Sequence, residues 1–104
     1  MTRDLKIKVR EIIGHCPIYK VGDEFSIREG YILRSDIPIC LHSLMSIVPY
    51  YTALSRGTKP EELGLGKDKA YVQCLDPCKY TGGGTVIFEI TIQDIKLPQR
   101  FDRC

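Results

Sequence analysis

The stretch IPICLHSLMSIVPYYTALSRG, residues 37–57, decides the architecture. Ile37, Cys40, Leu41, Leu44, Val48 and Tyr51 recur at three- and four-residue spacing, which lines one side of an α-helix with apolar atoms. Ser35 or Asp36 can accept from the amides left open at the helix start. Pro38 suits the first turn, where its missing N–H has no intrahelical partner anyway. Gly57, after Arg56, is a good terminator. Pro49 falls inside the pattern, where it removes one backbone hydrogen bond and crowds the carbonyl four residues back. A kink, or a break into two short helices, is expected there.

Outward from this segment the periodicity changes from helical to alternating. Leu5, Ile7 and Val9 face one way and Lys6, Lys8 and Arg10 the other, as in a strand with one wet face. Gly14 interrupts that alternation, and His15-Cys16-Pro17 forms a short extended link, since the ring of Pro17 disfavours a helical Cys16. Val21-Gly22-Asp23 is a tight bend ahead of a second strand carrying Phe25 and Ile27. Arg28-Glu29-Gly30 turns the chain into Tyr31-Ile32-Leu33. After the helix, residues 58–68 are polar and glycine-containing, hence loop with room for one helical turn. Ala70, Val72 and Cys74 then alternate with Tyr71 and Gln73, and Gly82-Gly83-Gly84 is expected to be a flexible hairpin tip. Val86, Phe88, Ile90 and Ile92 mark the clearest strand. The predicted fold is α+β: four or five strands in a small, mostly antiparallel sheet or open barrel, packed against one Pro-kinked helical segment. A single domain is expected over 1–97, with 98–104 as a C-terminal tail.

A chain of 104 residues has no room for a second core. Its net charge of +2 argues against a dedicated nucleic-acid binder. The basic stripe of Arg3, Lys6, Lys8 and Arg10 is interrupted by Asp4 and Glu11 and has no interleaved aromatics, so it suits a solvated strand face. No apolar run approaches the roughly 20 residues of a membrane span. The opening MTRDLKIKVREII lacks the apolar core of a secretory leader, which makes a cytoplasmic location the expectation.

Five cysteines cannot all pair within one chain, and a reducing compartment would leave them as thiols, metal ligands or redox groups. Cys74 and Cys78 are spaced C-x3-C, within the range of zinc-binding turns. Cys16 and Cys40 would have to complete such a site, which could take zinc or iron, with His15 or His42 as nitrogen alternatives. The competing reading makes Cys40 and Cys74 small buried hydrophobes on the helix stripe and the inward strand face. A Cys–His pair is the remaining chemistry. His15 neighbours Cys16 but points the opposite way in an extended chain, which leaves His42 as the candidate base if helix and link pack together. GLGKDK lacks phosphate-loop spacing, and GGGTV precedes a strand where such a loop must open a helix. Tyr50, Tyr51 and Tyr71, with Phe88, are candidates for a pocket between sheet and helix or for a subunit contact.

The order G-x-C-P-x-Y-K-x-G-D-x-F (14–25), P-x-C (38–40), P-Y-x-x-A-L-x-x-G (49–57), V-x-C-x-D (72–76) and V-I-F-E-I (86–90) resembles a group of short, uncharacterised bacterial and archaeal proteins of about this length. The resemblance spans Lys6 to Ile92. It implies a self-contained fold and cysteines at the positions of Cys16, Cys40 and Cys74, with Cys78 and Cys104 peculiar to this sequence; it implies no activity or cofactor. With no complete acid–base pair, triad or phosphate loop in view, the leading expectation is a non-catalytic accessory or binding module that forms homo-oligomers. The alternatives are a cysteine-centred metal or thiol-redox site, and a small-molecule pocket between sheet and helix.

Overall fold

In a computed structural model, which describes residues 2–93, five strands form one antiparallel sheet in the order β3-β2-β1-β5-β4. The strands are β1 (Asp4–Gly14), β2 (Glu24–Arg28), β3 (Ile32–Arg34), β4 (Ala70–Gln73) and β5 (Gly84–Gln93). One long helix, α1 (Leu41–Ser55), lies on one face against β1, β4 and β5. A short helix, α2 (Cys78–Thr81), sits in the connection between β4 and β5. The mixed fold and its open antiparallel sheet are as the alternation patterns predict; the expected 98–104 tail, with Cys104, lies outside the described residues. Among the described residues no helix is long and apolar enough to cross a membrane.

Alternation explains which side of each strand is dry. Leu5, Ile7 and Val9 on β1 meet Phe25 and Ile27 on β2 and Phe88 and Ile90 on β5. Tyr19, Phe25 and Phe88 form an aromatic nucleus, with Tyr19 and Phe25 each set edge-on to Phe88 at centroid distances of 5.6 and 6.1 Å. β1 runs as far as Gly14, where the alternation is expected to stop, and its register against β5 shifts between Val9 and Glu11. The extra residue returns Ile12 to the core side and leaves Ile13 exposed.

Turn chemistry holds the link between β1 and β2. Asp23 donates its amide to Lys20 O at 3.0 Å and accepts from the Lys20 amide through Oδ2 at 2.9 Å. Gly22 occupies the third position with φ +98°, a conformation that costs glycine little. The predicted loop 58–68 contains a 3-10 turn at Pro60–Leu63. Leu65 O beyond it accepts from the Tyr71 amide, which covers part of the β4 edge.

The helix departs from its prediction in two ways. It begins at Leu41, not beside Pro38, because Pro38 favours an extended Ile37 and Ser35 closes a local turn onto the Ile37 amide at 3.1 Å. Of the two forms expected at Pro49, a kink or a break, the break is absent: one helix runs through this exposed proline. The buried stripe is different too. Ser43, Ile47, Leu54 and Ser55 are fully buried, whereas Leu41 is 67% exposed and Val48 41%. The serines tolerate this because each hydroxyl bonds back to a carbonyl three residues earlier: Ser43 to Cys40, Ser46 to Ser43 and Ser55 to Thr52. Small, internally satisfied side chains can face the apolar sheet without an unpaired polar atom.

Candidate functional site

Three of the five cysteines come together. Cys16, Cys40 and Cys74 line one cavity of about 180 Å³, together with Tyr19, His42 and Asp76. The cavity lies where the β1–β2 link, the start of α1 and the turn after β4 converge. Its construction rests on one close approach: Gly84 packs so tightly under the His15–Cys16 peptide that a Cβ there would stand 2.5 Å from His15 O. The three consecutive glycines are therefore not a loose tip. Gly82 ends α2 in the left-handed conformation, and the Gly84 amide bonds to Asp76 Oδ2 at 3.3 Å. Thr81 Oγ1 donates to the other Asp76 carboxylate oxygen.

Tyr19 organises the wall. α1 has no side-chain cap of its own; Cys40 stands at the N-cap, and its amide donates to Tyr19 Oη at 2.8 Å. Ser43 gives its proton to Cys40 O, so Tyr19 donates to Ser43 Oγ at 2.7 Å and is satisfied on both sides. Burial pushes the Tyr19 hydroxyl above its ordinary range, against the opposing pull of the Ser43 and Cys40 hydrogen bonds. Tyr19 also donates its amide to Cys16 Sγ at 3.4 Å. Its importance was not visible from spacing, because its partners are 21 and 24 residues away in sequence.

The three sulfurs differ. Cys74 is buried and built into the sheet: its Sγ accepts from the Val86 amide at 3.2 Å and donates to Gly84 O at 3.6 Å. Cys16 is half-buried and accepts one amide. Cys40 is half-buried at the helix start, where the first turn contains no acidic residue. Cys78 does not line this cavity; its amide bonds to Asp76 O and Thr85 Oγ1 on the far side of the turn. All four cysteines among the described residues are free. No three His, Cys, Asp or Glu side chains among the described residues are gathered so as to hold one metal ion. In the C-x3-C pair, Cys74 follows β4 and Cys78 opens α2, so the second cysteine stands on a helix and not in a plain turn.

Tyr71 and Phe88 lie on opposite faces of the sheet. Phe88 is fully buried in the core, and Tyr71 lies on the opposite face of the sheet from α1, since Val72 takes the inward position. Tyr71 instead donates to Glu89 Oε1 at 3.1 Å. Lys69 stands 3.6 Å and Arg10 4.0 Å from the same carboxylate. Burial pushes the Glu89 carboxyl up, but the Tyr71 hydrogen bond and the two cations outweigh it and hold it below the usual range. Tyr50 and Tyr51 are half-buried and pack on the core from the helix.

The second feature is the outward side of α1. Leu41, Met45 and Val48 follow one another at helical spacing and are 67%, 52% and 41% exposed. Residues 37–55 contain no Asp, Glu, Lys or Arg, and that run without charge is the sequence signal for this surface. Comparison with protein-family models, with curated proteins and with solved structures finds no match to this chain.

Proposed function

We propose that this protein is an accessory binding module that works as a homo-oligomer, docking through the outward face of α1. The observation that carries the reading is a second apolar stripe on the helix: Ile47 and Leu54 are buried in the core with the serines, while Leu41, Met45 and Val48 face out. Aliphatic side chains in helical register across a charge-free surface are a feature of contact surfaces, not of wetted ones. A surface without charge offers an ionic partner nothing to pair with, and its best complement is another uncharged surface. A second copy supplies one, because a two-fold contact sets the same patch against itself. Free thiols at Cys16, Cys40, Cys74 and Cys78 agree with a cytoplasmic setting.

Sedimentation of the purified chain over a concentration series tests this. The wild type is expected to dimerise at micromolar concentration. L41K and V48K are expected to sediment as monomers and to melt where the wild type melts when it is too dilute to dimerise. A wild type that stays monomeric at high micromolar concentration overturns the proposal.

A further inference from the structure

Beyond the docking surface, and independently of it, the cavity carries a chemistry of its own. We propose that Cys40 and Cys16 form a dithiol site that reacts with a low-molecular-weight disulfide, Cys40 as the attacking thiol and Cys16 as the resolving one. The three sulfurs on the cavity wall are not equivalent. Cys74 has both its donor and its acceptor role occupied within the sheet. Cys40 sits at the start of a 15-residue helix that has neither a side-chain cap nor an acidic residue in its first turn. Open amides at that end offer partial positive charge to a sulfur at the N-cap. His42, two residues on, lines the same cavity and is the group the proposal assigns as proton acceptor. Cys16 lines the same cavity from the β1–β2 link, outside regular secondary structure, and its Sγ accepts from the amide of Tyr19, whose Oη holds the Cys40 amide. The cavity admits a small molecule but gathers no metal-binding set.

The steps balance. His42 takes the Cys40 proton, and the thiolate attacks one sulfur of RS–SR. The Cys40–S–S–R bond forms, RS⁻ leaves, and it collects the proton from the imidazolium. Cys16 then attacks the Cys40 sulfur, its own proton passing to the departing RS⁻. One disulfide is reduced to two RSH while Cys16 and Cys40 are oxidised to a disulfide.

The full chain treated with oxidised glutathione, followed by intact mass and peptide mapping, tests each role. Wild type is expected to show a transient glutathionyl adduct on Cys40 that resolves to a Cys16–Cys40 disulfide. C16S is expected to retain the adduct on Cys40. C40S is expected to slow oxidation of Cys16 by at least about tenfold, with an unchanged circular dichroism spectrum because serine is itself a good N-cap. Adducts confined to Cys78 or Cys104, an equal rate of Cys16 oxidation in C40S, or equally fast loss of the adduct in C16S and wild type would each overturn the assignment.

Discussion

Two surfaces of this protein face away from its core, and they meet water differently. The outer face of the sheet answers exposure with charge. Lys6 pairs with Glu24 at 3.4 Å, and Glu89 is ringed by Tyr71, Lys69 and Arg10. The outer face of α1 answers with Leu41, Met45 and Val48, and the helix carries no acidic residue in its first turn and no basic one in its last. Both surfaces flank the same core, so packing demand does not separate them. What separates them is that one carries paired charges and the other exposes aliphatic side chains on a helix without charge.

Adjacent residues on α1 sharpen that contrast most. Ile47→Ala, on the inward side, is expected to cost about 2–5 kcal/mol in chemical denaturation, while Val48→Ala changes the stability of the monomer by no more than about 0.5 kcal/mol. Equal losses at the two positions would mean that both sides of the helix are internal. Tyr19→Phe is next. It strips the Cys40 amide of its acceptor at the half-buried start of the helix, for about 1–3 kcal/mol.

The charged face responds to acid. Glu89 has its carboxyl held below the ordinary 4.5, so its contribution is present above that value and is lost as pH falls through the folded-state value. Glu89→Gln is expected to cost up to about 1 kcal/mol at neutral pH and to flatten the acid limb of the stability profile. An unaltered acid limb would show that the ring of cations around Glu89 is not coupled to folding. The smallest effect is a gain: Cys40→Ser supplies a hydroxyl cap to α1 and is expected to add about 0.5–1 kcal/mol in the same denaturation assay.

Much of the sheet could be read from the chain because alternation is a local signal. Leu5, Ile7 and Val9, or Val86, Phe88 and Ile90, announce their face within one strand. The helix was harder. Its existence follows from spacing, but which stripe is buried depends on what fits the sheet, and three serines that satisfy themselves fit closer than leucine. Hydrophobicity alone selects Leu41, Leu44 and Val48; of these, Leu41 and Val48 lie outside. The cavity was half visible: Cys16, Cys40, Cys74 and His42 are candidates from the sequence, whereas spacing assigns no role to Asp76 or Tyr19. Their roles arise from contacts between elements distant in sequence, such as Gly84 beneath the His15–Cys16 peptide. Cys78 stands apart from that cavity at the start of a four-residue helix, which spacing alone reads as a plain turn.

The middle of the sheet joins β1 to β5, from Asp4 opposite Gln93 to Gly14 opposite Gly84. These two strands bracket every other described element, so during synthesis the central ladder has to wait for β5 to leave the ribosome. Until then β1 has only β2 beside it, and both sides of α1 are bare to whatever the cell brings near. Closing so long a loop places folding of such a chain toward the milliseconds-to-seconds end of the scale for domains of its size. The nascent protein therefore passes through an interval in which it is most prone to aggregate and most dependent on chaperones, and that interval ends when its last strand docks.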